Sequence, residues 1–301
     1  MAELTGYLAP EGFVTELLHE LGEAAVETDG RLVLAEGPPR DVAWVANVWR
    51  APQRLPIASI GDAAKQLRAI QRNWALYSFA HHRRAALVAE KLPKVSAKPL
   101  AFGDAAPSAP LGSWCLLDND TILASASCSS PFPNGEAFFI EDRAPPSRAY
   151  LKLWEVFTIL GVRPQAGVRC VDLGASPGGW SYVLGKLGAR VIAVDKAPLD
   201  ASVLALPGVE QRQESAFALT PSDVGSVDWL FSDVICYPAR LLGLVEKFLA
   251  AGTVKNFVCT IKFQAGTDFA TQARFAAIPG SRLIHLHANK HELTWVKLSP
   301  R

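Results

Sequence analysis

Long apolar runs are missing from this 301-residue chain. None reaches the roughly 18 residues that a membrane-spanning helix needs, and the N-terminus lacks the pattern of a secretory leader. No C-x-x-C pair occurs either: Cys115, Cys128, Cys170, Cys236 and Cys259 are widely spaced. Zinc-ribbon ligation and a disulfide framework are therefore excluded, and buried free thiols in a reducing cytosol are expected. Net charge is almost absent, at +1. What is present, half the residues apolar and a fifth charged, is the composition of a soluble globular protein long enough for two domains.

The small net charge conceals an asymmetry. Residues 1–48 carry nine acids against only Arg31 and Arg40, whereas residues 54–98 carry nine lysines and arginines against Asp62 and Glu90. Arg68, Arg72, Arg83 and Arg84 lie in the basic block together with Trp74, Tyr77 and Phe79. Such a block is able to contact a phosphate backbone and stack on bases. Equally, it reads as a solvated helix face whose aromatic residues point into a core.

Residues 168–180, VRCVDLGASPGGW, organise the rest. A short apolar run ends in an acid and Gly174 follows at once. Pro177, a good first helical residue, precedes an apolar-periodic stretch. This is a strand, a glycine turn and a helix N-terminus, the crevice where open α/β sheets bind nucleotides. A second apolar run, Arg190–Val194, ends at Asp195, an acid placed to accept hydrogen bonds from both hydroxyls of a ribose. The glycines read G-x-x-x-G-G rather than the dinucleotide fingerprint G-x-G-x-x-G, and Pro177 removes an amide that would face a phosphate. A ligand with a ribose and no pyrophosphate fits better, with S-adenosyl-L-methionine (SAM) the leading candidate.

Up to about residue 55, alternation predicts a small α/β unit with strands at Gly6–Leu8, Arg31–Ala35 and Val42–Trp49. Ile60–Lys91 reads as helical, in one or two pieces, and 97–110 as a loop. Asp118-Asn119-Asp120 marks a hairpin. From Ser147 onward helices and strands alternate, predicting a doubly wound, seven-stranded, mostly parallel sheet closed by a terminal antiparallel pair. The predicted domains are 1–145, a smaller α+β substrate-binding domain, and 146–301, a Rossmann-like methyltransferase domain.

Asp233 ends one predicted strand and Lys262 lies near the end of the next, so both stand on the rim of the crevice. Lys152 lies on the helix entering this domain and Glu292 opens the final strand. Singly, each reads as a surface charge. Converging beside a methyl donor, they would supply the base that a hydroxyl needs as it attacks a sulfonium methyl.

Over residues 145–301, the motifs PPSRAYLKLWE, VDLGASPGGW, VIAVD, FSDV, CTIKF and HELT, in that order, resemble the FtsJ/RlmM-type ribose 2′-O-methyltransferases, in particular the branch that acts on 23S rRNA. The resemblance implies a Lys-Asp-Lys-Glu catalytic set at Lys152, Asp233, Lys262 and Glu292, with Lys262 as base. It also implies SAM contacts at Ser176, Pro177, Gly178, Gly179, Asp195 and Asp233, and an RNA partner, expected to be ribosomal. Ser215, in QESAF, stands where the family usually has an acid that reads the adenine amino group; neighbouring Glu214 is the alternative. Ala149 replaces a serine. Residues 7–18 and 121–147 are similar to the ends of the family's N-terminal region, but the chain between them is too short for a ferredoxin-like module plus a complete THUMP domain. A reduced RNA-binding domain is therefore expected.

His285, His287 and His291 lack a carboxylate or cysteine at a usual ligand spacing, so no metal is expected. A place in the cytoplasm with no membrane contact completes the expectation; the oligomeric state stays open, a monomer being favoured. Three rival functions stay open: a small-molecule O-methyltransferase, a non-catalytic RNA-binding assembly factor that keeps the fold, and, disfavoured by the loop spacing, a nicotinamide oxidoreductase.

Overall fold

The computed structural model describes residues 3–300 and divides into two compact units, Met1–Phe139 and Ile140–Arg301. The first unit runs β1 (Leu4–Leu8), α1 (Val14–Leu21), β2 (Ala25–Asp29), β3 (Leu32–Glu36), β4 (Asn47–Arg50), β5 (Gln53–Pro56) and α2 (Ile60–Ile70). It continues through β6 (Trp74–Leu76), α3 (His82–Ala89), β7 (Gly112–Leu116), β8 (Thr121–Ser125) and β9 (Ser127–Cys128). Its strands form a five-stranded sheet, β2-β3-β1-β4-β9, and a four-stranded sheet, β5-β8-β7-β6.

The stretch expected to be helical over Ile60–Lys91 is two helices with a strand between them. Ser59 caps α2, its hydroxyl accepting from the Asp62 amide at 3.1 Å, and Ala63, Ala64 and Leu67 give the helix one buried face. Trp74 then opens β6, which pairs in parallel with β7. The expected strand over Val42–Trp49 shrinks to Asn47–Arg50.

Packing also corrects the stacking half of the nucleic-acid reading. Trp74 and Tyr77 are only 5% and 6% exposed, and Trp74 packs with Leu67, Val88 and Trp114 in one apolar cluster. The Tyr77 hydroxyl accepts from the Arg31 amide at 2.6 Å. Lys65, Arg68, Arg72 and Arg83 remain exposed, so the block presents basic side chains above a buried Trp74 and Tyr77.

The second unit runs α4 (Tyr150–Leu160), β10 (Arg169–Leu173), α5 (Gly179–Lys186), β11 (Arg190–Val194), α6 (Ala201–Leu204), β12 (Val209–Arg212) and α7 (Pro221–Val224). There follow β13 (Val227–Ser232), α8 (Pro238–Ala251), β14 (Val254–Lys262), α9 (Phe269–Ala276), β15 (Ser281–Ile284) and β16 (Glu292–Lys297). Its sheet has seven strands in the order β12-β11-β10-β13-β14-β16-β15. Strands β10 to β14 pair in parallel, and β16 is antiparallel to both β14 and β15. The order reverses at β10, where β11 lies on one side and β13 on the other. That is the switch point at which such sheets open a crevice beyond their strand ends.

Aromatic packing holds this edge in place. Phe231 of β13 stacks on Trp229 with ring centroids 5.6 Å apart and meets Phe157 and Trp180 edge-on. The Trp180 indole N–H donates to the Ala149 carbonyl at 2.8 Å, tying the start of α5 to the start of α4. Its role is to pack.

Candidate active site

Three acids mark the carboxyl ends of the strands at the switch point: Asp172 in β10, Asp195 just past β11 and Asp233 just past β13. The turn after β10 comes close to the tip of β13. Gly174 has φ of +78°, and a Cβ there would stand 2.6 Å from the Val234 backbone, so both its conformation and the approach require glycine. The turn's glycine thus serves chain packing and leaves the crevice open.

That crevice is a cleft of about 240 Å³ whose lining includes Gly174, Asp195, Ser215, Phe217, Val234 and Ile235. Arg240 lines it too, with its guanidinium carbon 3.8 Å from the centre of the Phe217 ring. The Asp195 carboxylate is held in place, accepting from the Ser176 amide at 3.1 Å and the Ala197 amide at 2.9 Å. Ser215 lines the cleft and Glu214 is exposed. Of the other residues expected at a cofactor, Ser176 braces Asp195 and donates its hydroxyl to the Pro198 carbonyl at 2.9 Å. Pro177 precedes the helix instead of starting it, because Gly178, at φ of 118°, is the cap and Gly179 the first residue of α5.

Beside the cleft, Lys152, Asp233, Lys262 and Glu292 come together. β13 and β14 are parallel neighbours, so Asp233 and Lys262 leave the same edge of the sheet. β14 and β16 are antiparallel, with Lys262 directly opposite Glu292, which puts both side chains on one face. Asp233 Oδ1 lies 3.1 Å from the Lys152 ammonium and 3.1 Å from that of Lys262. Lys262 also donates to the Asp233 carbonyl at 2.6 Å, and Lys152 reaches Glu292 Oε1 at 2.6 Å. Burial pulls the Lys152 ammonium toward deprotonation, but Asp233 and Glu292 together outweigh it and its pKa is raised. Lys152 is thereby a fixed cation.

Two buried acids have no role in the sequence reading, Glu155 unmentioned there and Asp172 noted only as the acid at a strand end. Glu155, one turn beyond Lys152 on α4, is only 2% exposed and accepts from the His287 and Ala288 amides at 2.6 and 3.0 Å. It ties α4 to the turn that leads into Glu292. Burial pushes its pKa up to about 7 against the two amide hydrogen bonds. Asp172, 1% exposed, is likewise pushed up to about 7 by burial, opposed by the Ser181 hydroxyl and reinforced by Asp233 and Asp195. Its Oδ2 accepts from Ser181 at 2.7 Å, while its buried Oδ1 has no hydrogen-bond partner.

A cleft with a braced carboxylate and apolar walls at the switch point suits a nucleoside. Among the described residues no group of three or more histidine, cysteine, aspartate or glutamate side chains is placed to hold a metal ion. His285 is pushed down to about 4, mainly by burial. No helix among the described residues is long and apolar enough to cross a membrane.

The fold and the crevice of the second unit are those of a Rossmann-like α/β domain. Residues 145–263 match the sequence model of the FtsJ-like methyltransferases. The chain is 35% identical to a ribosomal RNA large subunit methyltransferase M of Marinomonas sp. over 146 residues, 46% of this chain and 41% of the relative. It is 32% identical to that of Alkalilimnicola ehrlichii over 191 residues, 59% of this chain and 52% of the relative. The chain thus spans about half, or less, of the curated relatives it matches. Among solved structures, TrmN from Thermus thermophilus aligns with 98% of this chain and 99% of its own at 16% identity and a TM-score of 0.40, too loose a likeness to carry an argument about the site.

Proposed function

We propose that the chain is a SAM-dependent RNA ribose 2′-O-methyltransferase acting on large-subunit (23S) ribosomal RNA in the cytoplasm. The observation that carries this reading is the Asp233 carboxylate shared by two lysine ammonium groups at 3.1 Å each, beside a cleft with a braced acid. Nothing in the packing of a Rossmann-like sheet calls for two partly buried lysines on one carboxylate, and burying such groups is costly. The large-subunit RNA substrate is taken from the names of the relatives.

Bound in the cleft, SAM supplies a methyl group activated by its sulfonium. Asp195 would hold the ribose hydroxyls, and Val234 and Phe217 would wall the base. A positive donor beside Asp172, Asp195 and Asp233 compensates their mutual repulsion. The proton leaving the attacking ribose hydroxyl is assigned to Lys262 Nζ, which has to enter that step as the neutral amine, its own proton already given up to solvent. Lys152 is bound to two carboxylates and its pKa is raised, so it stays an ammonium and fixes Asp233. Lys262 shares one carboxylate and retains 19% side-chain exposure, which leaves it open to a substrate. Holding hydroxyl, methyl and sulfur in line would then carry much of the barrier reduction.

Tritiated SAM incubated with the full chain and with RNA from cells lacking its gene tests the reading. Label expected at one alkali-resistant 2′-O-methyl position of the large-subunit RNA would support it. SAM binding without transfer to any RNA would move the assignment to a small-molecule enzyme or an assembly factor.

A further inference from the structure

We propose that Ile235 and Tyr237 form the platform on which an unpaired nucleobase of the RNA stacks, next to the ribose presented to Lys262. The inference rests on the RNA reading of the site and extends it to a part of the substrate that the four charged residues do not touch. Ile235 is 77% exposed and Tyr237 66%, the two most exposed large hydrophobic side chains among the described residues. They lie two and four residues beyond Asp233. Lone exposed apolar residues are ordinary, but the two largest exposures in one short loop beside a reactive centre mark a binding surface.

The loop alternates. Cys236, 7% exposed, and Pro238 are buried, so Ile235 and Tyr237 turn outward between two anchors. Tyr237 caps the 14-residue helix α8 with φ −66° and ψ 144°, and a residue before proline is confined to such extended conformations. The phenol is therefore carried on fixed backbone at the start of a long helix, where little freedom is lost on binding. One turn on, exposed Arg240 is held over Phe217 at 3.8 Å, a positioned cation for the adjoining phosphate. An apolar side chain, an aromatic face and a cation, in that order along the chain from Asp233, match a sugar edge, its base and a phosphate.

The competing occupant is the adenine of the cofactor, because Ile235 also lines the cleft. The experiment measures methyl transfer by the full chain to unmodified 23S rRNA transcribed in vitro, for wild type, Tyr237→Ala, Ile235→Ser and Tyr237→Trp. Binding of S-adenosylhomocysteine is followed by calorimetry. Base stacking predicts that Tyr237→Ala raises KM for the RNA about tenfold, with kcat and S-adenosylhomocysteine affinity nearly unchanged, and that Tyr237→Trp restores KM. Ultraviolet cross-linking of the wild type should place a nucleotide adduct on the peptide containing Tyr237. A wild type that labels RNA while the Ala and Ser variants keep its KM removes the platform and leaves the methyltransferase reading intact. A parallel loss of S-adenosylhomocysteine affinity gives the two residues to the cofactor. A wild type that labels neither 23S rRNA nor total RNA overturns the RNA reading, and the platform with it.

Discussion

Lys262 and Glu292 stand directly opposite each other across β14 and β16, yet their charged partners are Asp233 and Lys152 respectively. The four side chains form an alternating line, Glu292, Lys152, Asp233, Lys262, whose two ends are fixed by one cross-strand register. A shift of that register by one residue would turn Lys262 to the other face of the sheet. The antiparallel β16 is therefore part of the site and not merely an edge to the sheet.

At the open end of this line, Lys262→Met keeps the methylene stem and removes the amine. Under the proposed function, methyl transfer falls about 10²–10⁴-fold, the usual contribution of a positioned base. Affinity for SAM, read by calorimetry, stays within a few-fold. Turnover at the wild-type rate would remove Lys262 from the chemistry.

At the other end, Lys152 separates two carboxylates. Lys152→Met leaves Asp233 and Glu292 without their shared cation, and should destabilise the fold by about 3 kcal/mol, the low end for breaking a buried pair. Glu292→Gln keeps an acceptor and should cost less than about 1 kcal/mol. The double variant should lose less than the sum, since the neutral amide no longer needs the ammonium. Urea unfolding of all three proteins decides the matter, and strict additivity would mean that Lys152 and Glu292 do not depend on each other.

Glu155 gives the protein an unusual pH dependence. An unperturbed glutamate titrates near 4.5, and burial lifts this one to about 7. Between those values the folded protein holds a proton that the unfolded chain has released, so stability falls as pH rises through the window. The shift corresponds to a loss on the order of 2–3 kcal/mol across it. Glu155→Gln should remove that slope while Asp172, also pushed up to about 7, keeps its own. Urea midpoints measured from about pH 4.5 to 8 test the difference between the two proteins. Parallel curves would show that Glu155 ionises in the fold as it does in the unfolded chain.

The second unit is more legible than the first because its signals are local. Asp195 ends an apolar run that also shows it to be a strand, and the turn at Gly174 announces itself within a few residues. Lys262 and Glu292 are legible as strand-end positions, but their register is a pairing across 30 residues that no local pattern encodes. Glu155, amid Trp154, Val156 and Phe157, reads as a polar helix position, and only the amides of His287 and Ala288 explain its burial. β6 is hidden for another reason. Three residues are too few to show alternation, and helical signal on both sides swamps them. The glycine turn is visible in the chain itself, while the closeness of Val234 behind Gly174 requires the tertiary fold.

The basic face of the first unit carries the last prediction. Under the proposed function, with Trp74 and Tyr77 in the core, RNA contacts of this face would rest chiefly on charge. Changing Lys65, Arg68, Arg72 and Arg83 together to glutamate reverses exposed positions without touching the aromatic cluster beneath. RNA affinity should fall, and the slope of log K against log salt should flatten by about 0.7–0.9 for each phosphate that the protein no longer neutralises. Trp74→Ala should instead cost about 3–5 kcal/mol of stability, as a core deletion does. Filter binding across a salt series, set beside thermal unfolding, separates the two effects. An unchanged salt slope in the charge-reversed protein would show that these side chains meet only solvent, and would place RNA recognition elsewhere on the chain.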